Sequence, residues 1–107
     1  MAPAESALAA RIPISREVVG EFCRRHHIRR LSLFGSVLRD DFRPESDVDV
    51  LVEFDPGLGP GLIAMAGMEI ELSGPLGRKV DLLTPGFISP YYRDRVLGDA
   101  YPLYDAA

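Results

Sequence analysis

The sequence predicts an α/β (α+β) domain, a small sheet of about three to four strands flanked by helices. Segments 28–34, 48–54 and 79–84 read as strands, the second most strongly because it is β-branched and alternates in polarity. Segments 15–26, 62–72 and 89–97 lie between and beside them and carry apolar residues at helical spacing. The chain has 107 residues, 47% hydrophobic and 26% charged, which fits one globular domain around a single core and excludes a disordered or fibrous chain.

Taken in order, residues 1–14 form an N-terminal arm or short helix, alanine-rich, with Leu8 and Ile12 inward but bracketed by Pro3 and Pro13, so that fraying is expected. Residues 15–107 form the single domain. Ser15 can cap a helix whose first turn contains Glu17 and whose Val18, Val19, Phe22, Cys23 and His26 share a face. Arg24 and Arg25 fall in its last turn, where cations suit the dipole. The strand from Ile28 to Phe34 turns Leu31 and Leu33 to one side, and Gly35-Ser36 end it before Val37-Leu38-Arg39, which read as the opening turn of a helix. Asp41 to Ser46 is a loop containing Pro44. The strand Val48–Phe54 directs Val48, Val50, Val52 and Phe54 one way, and Asp47, Asp49, Leu51 and Glu53 the other. Asp55 to Gly61 holds too many breakers for a regular element. Leu62 to Leu72 resumes a helical pattern through Leu62, Met65, Ala66, Glu69 and Ile70, and this helix is expected to end near Gly74. In the strand Lys79–Thr84, Val80 and Leu82 face the core while Asp81 and Leu83 share the other face. Ser89 as N-cap with Pro90 at N1 starts a last helix to about Leu97, closed by Gly98, and Tyr101–Tyr104 adds a short edge strand.

Twelve basic against sixteen acidic residues give a net charge of −4, which argues against broad electrostatic binding to nucleic acid or to an anionic membrane. Cys23 is the single cysteine, so an intrachain disulfide is impossible and a reducing compartment is expected. No basic segment precedes an apolar stretch at the N-terminus, and no run reaches the ~18 apolar residues of a membrane span. The expected location is the cytoplasm.

Seven acidic residues and one basic residue lie between Asp40 and Asp55. Asp47 and Asp49 stand apart from the solvated loop charges because they occupy alternate positions at the start of a buried strand. Like charges ~4–5 Å apart repel by up to a few kcal/mol, so a cation belongs between them. All-oxygen ligands suit Mg²⁺ or Mn²⁺, and Asp81 adds a third inward carboxylate from another strand. A turn cap plus an edge-strand charge is the plainer reading of an isolated Asp-x-Asp pair. Gly35 and Ser36 shift the balance: glycine lets backbone approach a ligand, and a helix opening at serine directs N–H groups at an anion, which makes a phosphate seat.

The arrangement resembles the nucleotidyltransferase superfamily that includes DNA polymerase β, in which a strand, Gly-Ser and a spacer lead to Asp-x-Asp on the next strand. Its short form, in the minimal nucleotidyltransferase (MNT) proteins, is matched here by Leu33, Phe34, Gly35, Ser36, Arg39, Ser46, Asp47, Asp49, Leu51 and Val52, with Asp81 matching the third carboxylate. The resemblance covers about residues 15–105. Leu38 stands where a small residue is usual and Asp40 where glycine is usual, which adds a negative charge beside the phosphate seat. The resemblance implies the nucleotidyltransferase fold with a mixed sheet and a single minimal domain. It implies Gly35 and Ser36 on the phosphates of ATP, Asp47, Asp49 and Asp81 as catalytic metal ligands for Mg²⁺ or Mn²⁺, and AMP transfer to a hydroxyl. Arg39 either neutralises phosphate or forms a salt bridge to Asp40, Asp41 or Asp47. MNT proteins resemble antitoxins encoded beside a HEPN-type toxin, so the implied acceptor is a hydroxyl of that partner, that of a tyrosine, in a hetero-oligomer. The alternative is a catalytically inactive module that masks the toxin sterically.

The remaining conspicuous residues have plainer explanations. Arg24 to Arg30 is a helix end followed by a solvated strand start, His26 and His27 lack metal-ligand spacing, and Cys23, Met65 and Met68 are core. Tyr91, Tyr92, Tyr101 and Tyr104 are expected to pack on the sheet, with an interface as the second reading. Asp55 to Gly61 is read as a loop, with a nucleotide lid as the alternative.

Overall fold

The computed structural model describes residues 5–106, with side chains from Ala7 onward; residues 1–4 of the expected arm, Pro3 among them, lie outside that range. The first element is a short helix, α1 (Glu5–Ala9). It is anchored rather than frayed, because Leu8 and Ile12 are fully buried and the N–H groups of Arg11 and Ile12 both close on the Leu8 carbonyl. Ser15 caps α2 (Arg16–Arg25) as its position predicts, its Oγ accepting from Val18 N at 3.2 Å. Val19, Phe22 and Cys23 form the buried stripe, while Val18 turns 41% exposed at its margin.

The sheet has four strands, β1 (Ile28–Phe34), β2 (Val48–Phe54), β3 (Val80–Leu83) and β4 (Tyr101–Asp105), in the order β3-β2-β1-β4. β1 pairs antiparallel with both β2 and β4, and β2 pairs parallel with β3, so the sheet is mixed. The parallel pair requires a crossover, which α3 (Leu62–Leu76) supplies. Leu31, Leu33, Val48, Val50, Val52, Val80 and Leu82 form the sheet side of the core, against Phe22, Cys23, Met68, Leu72 and Leu76 from the helices. Cys23 sits in that layer, where burial pushes its thiol up to about 12. It should stay unmodified by a thiol-alkylating reagent at mildly alkaline pH until denaturant is added, as counted by intact mass.

Three expected boundaries shift. The residues after Gly35 form a single 3-10 turn (Gly35–Leu38), not the start of a helix. α3 runs past Gly74 and through Pro75 to Leu76, because Leu76 is needed in the core and Gly77, left-handed at φ 68°, ends the helix with its N–H on Gly74 O. Its buried face is Met65, Met68, Leu72 and Leu76, while Leu62 and Ile70 of the same apolar pattern are 73% and 77% exposed. The last helix, α4 (Pro90–Asp99), continues through Gly98. Ser89 starts it through its backbone carbonyl, which accepts from Tyr92 N and Arg93 N, and not through a side-chain cap.

β3 lies at one edge of the sheet, and α3 closes it with side chains. Glu69 Oε2 accepts from Leu82 N (2.7 Å), Ser73 Oγ accepts from Val80 N (3.0 Å), and the same hydroxyl donates to Glu69 O. At the other edge, Arg16 Nη1 donates to Leu103 O at 3.0 Å, and Pro102 contributes no N–H. Arg25 and His26 at the end of α2 both contact Glu71 of α3, whose carboxyl the Arg25 hydrogen bond holds below the usual carboxylate range.

Candidate active site

β1 ends where β2 begins, because the two strands are antiparallel, so the Gly35 turn and the first residues of β2 meet at one end of the sheet. Phe34 pairs with Asp49 across β1 and β2, and Asp49 is in register with Asp81 across β2 and β3. Side chains directly opposite in such pairs share a face, so the Phe34 ring and both carboxylates are on one side of the sheet. Gly35 has φ +76°, and a β-carbon there would overlap Asp49 Oδ2 and lie 3.2 Å from Asp49 Cγ. Glycine is required twice over at this position, for the left-handed backbone and for the close approach of the carboxylate.

Asp47 precedes β2 by one residue. Ser46 sets it there by closing the preceding turn, its Oγ accepting from Arg43 N and its N–H donating to Arg43 O, both at 3.0 Å. Arg78 ties the same loop down by donating to the carbonyls of Arg43 and Pro44 while its guanidinium stacks 4.7 Å above the Phe42 ring. Asp47 lies near enough to Asp81 to raise that carboxyl's proton affinity, and it faces Lys79 Nζ at 3.8 Å. Three carboxylates from the starts of two neighbouring strands are thereby brought together.

Their proximity shows in their proton affinity. Burial, then the charges of Asp81 and Asp47, push the Asp49 carboxyl above its ordinary 3.8, with Arg39 opposing. Asp81 is raised by burial and by Asp47, helped by Glu69 and opposed by Lys79. Among the described residues no three His, Cys, Asp or Glu side chains close around one metal-sized point. The cluster therefore matches a divalent cation in donor chemistry and in its excess of negative charge, while its coordination geometry is not preformed.

The Gly35 turn is held from behind by a residue that the motif does not contain. Arg11 Nη1 donates to Val37 O (2.6 Å) and Arg39 O (2.8 Å), and its guanidinium lies 3.7 Å from Asp40. Nothing in the local sequence marks Arg11, since its partners are 26 and 28 residues away. Asp40 is fully exposed and lies beside the Arg11 guanidinium, whose positive charge offsets its own. Arg39 rests on Asp41, Nε to Oδ1 at 3.1 Å, which is one of the salt bridges open to it from the sequence. Ser36 is half-buried within the turn, which is too short to supply the helix dipole expected there.

Beside the turn lies a cavity of about 460 Å³, lined by Phe34, Gly35, Leu38 and Arg39 together with Tyr92, Arg95, Val96 and Asp99 of α4. The α4 wall was missed in the sequence, where Tyr92 read as a packing residue. Tyr91 and Tyr92 are 94% and 62% exposed, whereas Tyr101 and Tyr104 pack against the core as expected. The Asp55–Gly61 loop follows the far end of β2, where Asp55 N bonds His27 O. At ~3.3 Å per residue that is roughly 15–20 Å from Asp49, so the loop is no lid for this site. The basic cluster around Arg24 to Arg30 is at the same far end.

A family model described as a nucleotidyltransferase domain matches residues 15–101. The chain belongs to the nucleotidyltransferase family. A candidate protein adenylyltransferase of Methanocaldococcus jannaschii, MJ0435, is 41% identical to this nucleotidyltransferase over 76 residues, covering 71% of the chain and 80% of the relative. The protein adenylyltransferase MntA of Thermococcus cleftensis is 36% identical over 63 residues, covering 59% and 62%. Among solved structures, a candidate minimal nucleotidyltransferase aligns with TM-score 0.68 at 38% identity, over 91% of this chain and 93% of that one. The complex of the tri-AMPylated Shewanella oneidensis HEPN toxin with an MNT antitoxin aligns with TM-score 0.61 at 21% identity over 84% and 69%, a likeness of fold. No helix among the described residues is long and apolar enough to cross a membrane.

Proposed function

We propose that this nucleotidyltransferase transfers AMP from ATP to a hydroxyl group of a partner protein, a tyrosine of a HEPN-type toxin, and so acts as its antitoxin in the cytoplasm. The observation that carries the reading is the contact of the left-handed Gly35 with Asp49, with Asp81 in register on the next strand. The protein adenylyltransferase relatives support the reaction, and the toxin complexes of the same fold support the partner.

In this reading the Gly35–Ser36 turn seats phosphate, and Asp47, Asp49 and Asp81 hold Mg²⁺ or Mn²⁺. The bound cation neutralises phosphate charge and favours an ionised acceptor. Lys79 and Arg39 supply the fixed positive charge nearest the carboxylates. Asp81, in register beside Asp49 on the neighbouring strand, is the carboxylate placed to receive the proton of the incoming hydroxyl. The hydroxyl oxygen bonds to the α-phosphorus as the bond to the β-phosphate oxygen breaks, and pyrophosphate leaves.

The test is to incubate the chain with a HEPN-type toxin, Mg²⁺ and ATP, and to weigh the intact products. Mass increments of whole AMP units on the partner, confined by peptide mapping to tyrosine, are expected. A stable complex with neither protein modified would replace this reading with steric masking of the toxin.

A further inference from the structure

The cavity beside Gly35 is lined by two arginines from different elements, Arg39 after the turn and Arg95 on α4. Tyr92, Arg95, Val96 and Asp99 recur at three- and four-residue spacing, so one face of α4 is turned to this space. Neither arginine is committed to the fold. Arg39 Nε rests on Asp41 at 3.1 Å with both side chains about 60% exposed, and Arg95 Nε lies 3.9 Å from Asp99 with 84% and 73% exposure. Ion pairs this exposed contribute little, so each arginine can leave its carboxylate for a more highly charged anion at small cost. By contrast, Arg93, two residues earlier, is used structurally: it donates to the carbonyls of Pro85 and Ile88 and holds the start of α4 in place.

The walls also define the anion. A single small anion is satisfied by one guanidinium, whereas two carried by separate elements suit a ligand with several charges along its length. Phe34 faces the same side of the sheet as Asp49 and Asp81, so the cavity opens beside the carboxylates. Leu38 and Val96 add an apolar patch to the lining beside the two arginines.

We propose that Arg95 is a polyphosphate-binding residue that closes with Arg39 on the β- and γ-phosphates of the nucleotide. The assignment rests on the nucleotidyl-transfer reading above, and it makes α4 half of the substrate site. Arg95 contacts the part of ATP that leaves as pyrophosphate, so a nucleoside monophosphate gains little from it.

Calorimetric titration of ATP and of AMP, each with Mg²⁺, into the wild type and Arg95→Ala decides the matter. ATP is expected to bind the variant at least about tenfold more weakly, and AMP within about twofold of wild type. The melting temperature should not change, since the side chain is 84% exposed and forms no buried contact. Arg29→Ala, which removes the same charge at the far end of β1, should leave both affinities unchanged. Unchanged ATP affinity in Arg95→Ala overturns the proposal, as does an equal loss for ATP and AMP, which would put the guanidinium on the nucleoside or α-phosphate. In either of those cases a wild type that still adenylylates its partner leaves the proposed function standing. A wild type that binds neither nucleotide removes both.

Discussion

Replacing Gly35 with alanine is expected to reduce AMP transfer at least about a hundredfold and to destabilise the fold at the same time. An alanine at φ +76° carries left-handed strain of about 1–2 kcal/mol. Its methyl group would also overlap Asp49 Oδ2, so the turn or the carboxylate must move. Together these should cost about 2 kcal/mol or more, roughly a 10 °C fall in melting temperature for a domain of this size. Displacement of about 1 Å at a reacting centre is enough for the loss of rate. Scanning calorimetry and partner modification measured on the same preparation check both effects. A variant with normal melting and normal turnover would mean that the close packing of Gly35 on Asp49 is not part of the site.

Asp49→Asn should separate activity from stability, with the two moving in opposite directions. Turnover is expected to fall at least about a hundredfold, because the amide neither binds a divalent cation strongly nor carries the negative charge that the reaction needs. Stability without metal should rise at neutral pH. The Asp49 carboxyl is held above 3.8 in the fold, so the native state binds its proton more tightly than the unfolded chain does. Ionising it therefore destabilises the fold: the penalty is absent below the unfolded value, grows as pH rises toward the folded value, and is fully present above it. Asparagine, with the same shape and no charge, removes that penalty and flattens the corresponding part of the stability profile. Melting curves collected from about pH 4 to pH 7 in a chelating buffer test the slope. A lower melting temperature at neutral pH would show that the carboxylate is a net stabiliser in place.

The residues of the site nearest one another in sequence were legible because they are local. Gly35-Ser36 had to end a strand, and Asp47 and Asp49 had to start the next, since alternation in Val48–Phe54 fixes which side chains leave the core. Asp81 was legible for the same reason on β3. Arg11 and the α4 wall were not, since each reaches the turn only through tertiary packing. The phase of α3 was hidden by its composition: Leu62, Ile63, Met65, Met68, Ile70, Leu72 and Leu76 place apolar residues on every side, so no single stripe marks the core. The sequence pattern also could not distinguish a helix start from a four-residue 3-10 turn after Gly35, because both begin with the same backbone reversal.

Glu69, Ser73, Arg16 and Pro102 have a consequence for how this chain meets another protein. An open strand edge is a template onto which a foreign extended segment can be stitched by main-chain bonds. On β3 the side chains of α3 already occupy the Val80 and Leu82 amides, and on β4 the Leu103 carbonyl is taken and one position has no amide to give. Strand addition would have to displace these bonds first. Recognition of a partner therefore falls to helix faces and loops, whose side chains can discriminate between surfaces, and the same closure guards the sheet against indiscriminate edge-to-edge aggregation.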